Sequence, residues 1–169
     1  LWQWICGMPS KIDAKLHFGK WHDIEVEDDV TAYVEDPNGA TGTFITSTGD
    51  APGSNRLEVV CDGGMLICDG GSLILRKLET PEPEFSRTNK VPFGQPKCET
   101  IKVDCSGCGD NSQHVGVLNA FAGAILRGEE LIADGREGVN GLTISNAMHL
   151  SAWLGKPVDI PMDDALFKA

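Results

Sequence analysis

The sequence lacks any apolar run near the ~20 residues that cross a bilayer, so a transmembrane reading fails. It also lacks positive charge. Fourteen Lys and Arg against 25 Asp and Glu give a net charge of -11, and a surface of that sign repels phosphate backbones and anionic headgroups, which argues against nucleic acid and membranes as partners. Neither Gly-x-Gly-x-x-Gly nor a Walker pattern is present, and the Gly-rich turns join strand to strand, so no helix N-terminus is offered to a phosphate. No initiator Met, signal peptide or transit peptide precedes Leu1, Trp2, Trp4 and Ile5, and this start reads as a cut through an element.

What is present suits one domain over residues 1–169, since 41% of the residues are hydrophobic and can fill a core. Such a chain has no need of a disulfide framework. Cys6, Cys61, Cys68, Cys98, Cys105 and Cys108 are therefore read as mostly reduced thiols of a cytoplasmic protein. Segments 11–18, 29–35 and 41–48 alternate polar and apolar residues and are expected as strands, the last two joined as a hairpin through Asp36-Pro37-Asn38-Gly39. Leu57 to Val60, Met65 to Ile67 and Leu73 to Leu75, separated by Asp62-Gly63-Gly64 and Asp69-Gly70-Gly71, read as a three-strand meander. Residues 80–98, with Pro81, Pro83, Pro92 and Pro96, are expected to resist both helix and central strand, and Thr100 to Val103 is a further short strand.

Two helices should close the chain. One begins at an Asn111 or Ser112 cap, carries Val115, Leu118, Ala122, Ile125 and Leu126 at helical spacing and stops at Gly128. The other begins near Asp134, runs through Val139, Leu142, Met148 and Leu150 to Trp153, and is closed by Gly155. Strands first and helices after give an α+β fold, a mixed but largely antiparallel open-faced sheet with helices packed on one face. Apolar residues on both sides of several strands call for a cover on the other face, which a second subunit could supply.

Residues 46–56 concentrate hydroxyl, amide, carboxylate and guanidinium groups, the set that hydrogen-bonds a polyol; the same composition also suits a solvated turn. Ser47, Asp50, Asn55 and Arg56 are the candidate substrate contacts there, and His114, in the first turn of a helix, is a fifth. His17 and His22 flank Trp21 in an exposed-looking turn, while His149 has a packing role inside the last helix. Cys105-Ser106-Gly107-Cys108 has the spacing of half a zinc knuckle or a redox pair, but no matching second pair lies nearby, so no metal is assigned.

The run Thr43-Phe-Ile-Thr-Ser-Thr-Gly-Asp-Ala-Pro-Gly-Ser-Asn-Arg-Leu-Glu-Val-Val, then Gly63-Gly-Met-Leu, resembles the C-terminal domain of the glucose-fructose oxidoreductase and inositol dehydrogenase (Gfo/Idh/MocA) family. Glu137-Gly-Val-Asn-Gly-Leu and Ser151-Ala-Trp-Leu-Gly-Lys-Pro-Val-Asp-Ile-Pro resemble its closing helix and tail, and Leu1 to Pro9 the end of the helix that opens it. The resemblance implies a dihydrodipicolinate reductase-like or glyceraldehyde-3-phosphate dehydrogenase-like C-terminal fold. It also implies a parent protein whose N-terminal Rossmann domain, absent here, binds NAD or NADP. That parent would oxidise or reduce a sugar, cyclitol or polyol hydroxyl, with this domain binding substrate and forming a homo-oligomer through the open sheet face. The family's catalytic Lys and its Asp-x-x-x-His pattern would then lie upstream of Leu1, no residue here is catalytic, and the fragment alone is expected to be inactive. The competing expectations are a free-standing carbohydrate-binding or scaffold module and a non-catalytic sensor relative of the family.

Overall fold

The computed structural model describes residues 1–107, 113–131 and 133–167. The chain forms two compact units, residues 1–51 with 123–169, and residues 52–122. Its strands, all antiparallel, divide between two four-stranded sheets. The α+β reading stands.

In the first unit α1 (Trp2–Cys6) leads into β1 (Lys11–Phe18), β2 (Glu27–Glu35) and β3 (Thr41–Ser47). Pairing in the order β3-β2-β1-β8 sets Ile12 opposite Val34, Ala14 opposite Ala32 and Leu16 opposite Val30, so the period-2 alternation delivers one apolar face. The expected β2–β3 hairpin forms: Asp36 N–H donates to Ala40 O at 2.8 Å, and Asn38 Oδ1 accepts from Ala40 N–H at 2.9 Å. At the other end of the β1–β2 pair the register slips. His17 faces Asp29 and Phe18 faces Glu27, leaving Asp28 without a partner across the ladder, a β-bulge.

The core is Ile12, Ala14, Ala32, Val34 and Val158 against Ala147 and Leu150 of α4 (Gly138–Leu154). A 3-10 turn, Gly135–Glu137, precedes α4, with Asp134 Oδ1 accepting from Arg136 N–H, and the helix ends at Gly155 in the left-handed conformation. Only the C-terminal half of α4 is buried: Val139 and Leu142, expected on its apolar stripe, are exposed, whereas Ser151 is fully buried. Ser151 is there for a reason. β8 (Val158–Asp159) pairs only with Lys11 and Ile12, so beyond it Ala14 N–H has no strand partner and donates instead to Ser151 Oγ at 2.9 Å. The same hydroxyl donates to Lys156 O at 2.9 Å. One side chain thus ties α4, β1 and the chain leading to β8. After β8 comes a single turn of helix, α5 (Asp164–Phe167).

In the second unit β4 (Arg56–Cys61), β5 (Gly64–Asp69), β6 (Ser72–Leu78) and β7 (Cys98–Val103) form the expected meander and its following strand. Gly70 and Gly71 take φ of 54° and 80°, the pair of positive values that a type I′ turn needs and that matches the twist of the strands it joins. Against expectation, residues 80–98 contain a helix, α2 (Glu82–Thr88). Pro81 stands at its N-cap and Pro83 in its first turn, where a missing N–H costs nothing, and Glu82 and Glu84 favour the positive end of the helix dipole. α3 (Gln113–Arg127) stops at Gly128 as expected, but Val115, Leu118, Ile125 and Leu126 are exposed rather than packed. The expected caps Asn111 and Ser112, and Cys108, lie outside the described residues.

Ser151→Ala leaves Ala14 N–H buried without an acceptor and should cost about 1–3 kcal/mol, while Leu150→Ala empties a fully packed site and should cost about 2–5 kcal/mol. Denaturant midpoints of the two variants check this. A Ser151→Ala midpoint equal to wild type would remove the tie.

Candidate functional site

Where the bulge turns Asp28 out of the ladder, its carboxylate collects the backbone of the β1–β2 loop. Asp28 Oδ1 accepts from Lys20 N–H at 3.0 Å, and Oδ2 accepts from Trp21 N–H at 2.7 Å and His22 N–H at 3.0 Å. Asp28 is only 3% exposed. Burial pushes its pKa up, but the three N–H donors outweigh it and hold the carboxyl below the usual aspartate value. The backbone oxygen of the same residue accepts from Thr48 N–H at 3.0 Å and from the hydroxyls of Ser47 and Thr48 at 3.4 Å. Both loops at this end of the sheet are therefore fixed by one residue.

The loops carry a dense polar surface around an exposed indole. His17 Nδ1 lies 2.7 Å and Lys20 Nζ 3.0 Å from Asp29 Oδ2, and hydrogen bonds from Lys20 and then His17 hold the Asp29 pKa down. Because a carboxylate only accepts, His17 Nδ1 carries the proton. Lys20 Nζ also sits 4.8 Å from the centroid of the Trp21 ring. His22 Nε2 donates to Thr48 O at 3.3 Å. Gly49 backs the indole so closely that a Cβ would lie 2.5 Å from Trp21 Cγ, which only glycine avoids.

Of the expected contacts, Ser47 and Asp50 belong to this rim. Ser47 Oγ accepts from Gly49 N–H at 3.1 Å, so its hydroxyl shapes the turn, and Asp50 is exposed. Asn55, Arg56 and His114 belong to the second unit, and all three are exposed. Arg56 is already engaged: Nε donates to Glu58 Oε1 at 2.8 Å and Nη1 to Asp69 Oδ2 at 2.8 Å, and these partners, Glu58 first, raise its pKa further. Trp21, Lys20, Asp28 and Asp29 were not among the expected site residues. The signals were an aromatic inside a polar turn and a pair of aspartates interrupting the alternation of β2.

His149, expected to pack, does so between Phe18 and Trp153 while Nε2 meets Glu27 Oε2 at 3.1 Å and Nδ1 donates to Ser145 O at 2.9 Å. Among the described residues no group of three or more His, Cys, Asp or Glu is arranged to hold a metal ion, and no helix is long and apolar enough to cross a membrane.

Because the Asp28 pKa is lowered on folding, the stability it contributes is complete above the ordinary aspartate value of about 4 and is lost as pH falls through the lower folded value. Acid titration followed by near-ultraviolet circular dichroism should show the indole signal changing in that range, and Asp28→Asn should show the loosened signal already at neutral pH. An acid-insensitive indole signal would detach the loop from Asp28.

Residues 1–67 match the GFO/IDH/MocA C-terminal domain. No curated protein sequence matches the chain. Among solved structures the fold is shared with the aldose-aldose oxidoreductase of Caulobacter crescentus complexed with glycerol, at 20% identity and a TM-score of 0.66 over 94% of this chain and 43% of that one. It is shared likewise with the WlbA dehydrogenase of Bordetella pertussis in complex with NADH and UDP-GlcNAcA, at 18% and 0.68 over 96% and 43%. A levoglucosan dehydrogenase in complex with NADH and levoglucosan gives 16% and 0.69 over 96% and 47%. The chain spans less than half the length of each of these structures. Residues 1–67 are thus similar in sequence to the GFO/IDH/MocA C-terminal domain, and nearly the whole chain shares its fold with these oxidoreductase structures.

Proposed function

We propose that this chain is the substrate-binding and oligomerisation domain of an NAD(P)-dependent oxidoreductase acting on a sugar, cyclitol or related polyol hydroxyl. The observation that carries the reading is the match of residues 1–67 to a domain whose structural relatives are sugar oxidoreductases. The rim of half-buried Ser47 with exposed Asp50, Trp21 and His17 around a fixed backbone supports it, since paired donors and acceptors beside an aromatic side chain suit a ring bearing several hydroxyls.

The residues present do not suit the dinucleotide itself. The turns at Asp62-Gly63 and Gly70-Gly71 connect antiparallel strands rather than a strand to a helix, so NAD or NADP is assigned to an N-terminal Rossmann domain outside these residues. The nicotinamide would exchange a hydride with the carbinol carbon. This chain's share is to bind and orient the hydroxyl-bearing ring; the proton acceptor and the orienting Lys are assigned to no residue here.

The oligomerisation role is placed on the second sheet. Its register puts Leu57, Cys68, Leu73 and Val103 in one row and Val59, Leu66, Leu75 and Ile101 in the next, a patch of eight uncharged residues across four strands, bordered on the same face by Lys77 and Glu99. The opposite face carries Glu58, Arg76 and Lys102. A second copy is the proposed cover of the uncharged face.

Two measurements test these proposals. The complete translation product containing these residues should reduce NAD or NADP with at least one sugar or cyclitol. Asn55→Ala and Arg56→Ala should lower kcat/KM there without weakening cofactor binding; unchanged kinetics would remove both residues from the site. Light scattering should find a dimer or tetramer that Leu66→Lys, a charge placed in the uncharged face, converts to monomer, and a wild-type monomer at high concentration would overturn the sheet interface.

A further inference from the structure

From Gly138 to Leu154, α4 holds no Asp, Glu, Lys or Arg, and its one side chain able to take up charge is His149. The side chain is 20% exposed and its ring stands between Phe18 and Trp153, at centroid distances of 6.5 and 5.7 Å. Each ring nitrogen meets an oxygen: Nδ1 lies 2.9 Å from Ser145 O and Nε2 lies 3.1 Å from Glu27 Oε2. A carbonyl only accepts, and so does an ionised carboxylate. Glu27 is ionised, because its own backbone N–H and then His149 hold its carboxyl below the usual glutamate value. Both contacts are therefore made together only by the doubly protonated ring. Loss of either proton turns a lone pair toward an oxygen, and the one orientation that serves both partners is lost.

On the sheet side these contacts grip the two halves of a single cross-strand pair. Phe18 faces Glu27 at the outer end of the β1–β2 ladder, beyond the bulge, and His149 touches both. The next bond outward, from Gly19 N–H to Val26 O, is long at 3.4 Å, so the ladder does little by itself to stay closed there. Other charges around α4 are engaged elsewhere. On β2, Asp29 meets His17 and Lys20, and Asp28 holds the loop backbone. On β1, Lys15 pairs with Asp13, and Lys11 pairs with Asp159 of β8. Asp134 pairs with Arg136 ahead of the helix, Asp163 accepts from Ala165 N–H at the start of α5, and Glu25, Glu137 and Lys156 are exposed.

We infer that His149 is a proton-operated latch: as the imidazolium it fastens α4 to the Phe18–Glu27 pair, and on deprotonation it lets that end of the ladder, with the loop over residues 19–26, loosen. Histidine is the side chain whose charge ordinarily changes between about pH 5 and 8. The ring's contribution is present at low pH and is lost as pH rises. On the acid side it ends where Glu27 takes up a proton, below the ordinary glutamate value of 4.5. The latch is closed only between those limits.

The test is made on the 169-residue chain. Nitrogen NMR of labelled histidine should find His149 doubly protonated at about pH 5.5 and singly protonated at about pH 8. Amide hydrogen exchange should find the protection of Gly19 about tenfold lower at the higher pH, while Ile12 and Ala32 in the core keep theirs. Glu27→Gln offers an oxygen to a protonated Nε2 and an NH2 to a bare one, so Gly19 protection should become independent of pH. His149→Phe, which keeps a ring without the proton, should show the low protection at both pH values. His17 is present in all of these chains, so a pH-dependent change that persists in Glu27→Gln would belong to another group and overturn the latch. A singly protonated His149 at about pH 5.5, equal Gly19 protection at both pH values in the wild type, or a loss shared equally by the core amides would overturn it as well. The wild-type profile is read on the unaltered chain and needs neither variant to fold.

Discussion

A single buried carboxylate sets the geometry of the candidate site. Asp28 could have faced Phe18 or His17 across the ladder; the slip in register leaves it unpaired, and it spends both oxygens on three consecutive backbone N–H groups. Everything above it on the rim inherits its position from that choice. The indole of Trp21, the ammonium of Lys20 and the imidazole of His22 leave the backbone at angles that Asp28 has fixed, and Ser47 and Thr48 are drawn in through its carbonyl. Polar groups that would be costly to bury unpaired are here satisfied by one another, which is why a charged residue can occupy an interior place at the end of a strand.

The two units handle their polar and apolar groups differently. In the first, small residues at Ala14, Ala32, Ala147 and Ser151 let α4 approach the sheet closely, and the core is sealed on that face. In the second, the ion pairs of Arg56 with Glu58 and Asp69 occupy one face of the meander, while on the other face two successive rows are uncharged and charge returns only at Lys77 and Glu99. Surface ion pairs of this kind contribute little to stability. Their more direct effect is to hold Arg56 flat along its own sheet, so that a ligand reaching for the guanidinium competes with two carboxylates already in contact.

Much of this was legible in the residues. β1 was bounded correctly because its alternation is uninterrupted, and the meander was recognised, with each strand drawn too short, because each Asp-Gly-Gly admits few alternatives to a tight turn. The family resemblance was carried largely by residues 43–66, and all of that stretch lies within the matched residues 1–67. The helix over Glu82–Thr88 was missed because proline was weighed by its number rather than by its place in the first turn. The face of α4 was misplaced because composition does not say which half of a helix lies over a sheet. The rim was only half visible: the loop chemistry of Ser47 and Asp50 is local, whereas the approach of Gly49 to Trp21 and the capture of the 20–22 backbone by Asp28 join positions far apart in the chain and depend on a bulge that periodicity conceals.

The bulge also separates what can change in this domain from what cannot. An insertion or deletion in a strand normally turns every following side chain to the opposite face, and here that would expel Val30, Ala32 and Val34 from the core. A break in the ladder at Asp28 stops such a shift before it reaches them. Residues 19–26 can lengthen, shorten or exchange their aromatic while the sheet behind keeps its register, so this exposed loop is the segment free to diverge among related proteins without unfolding them.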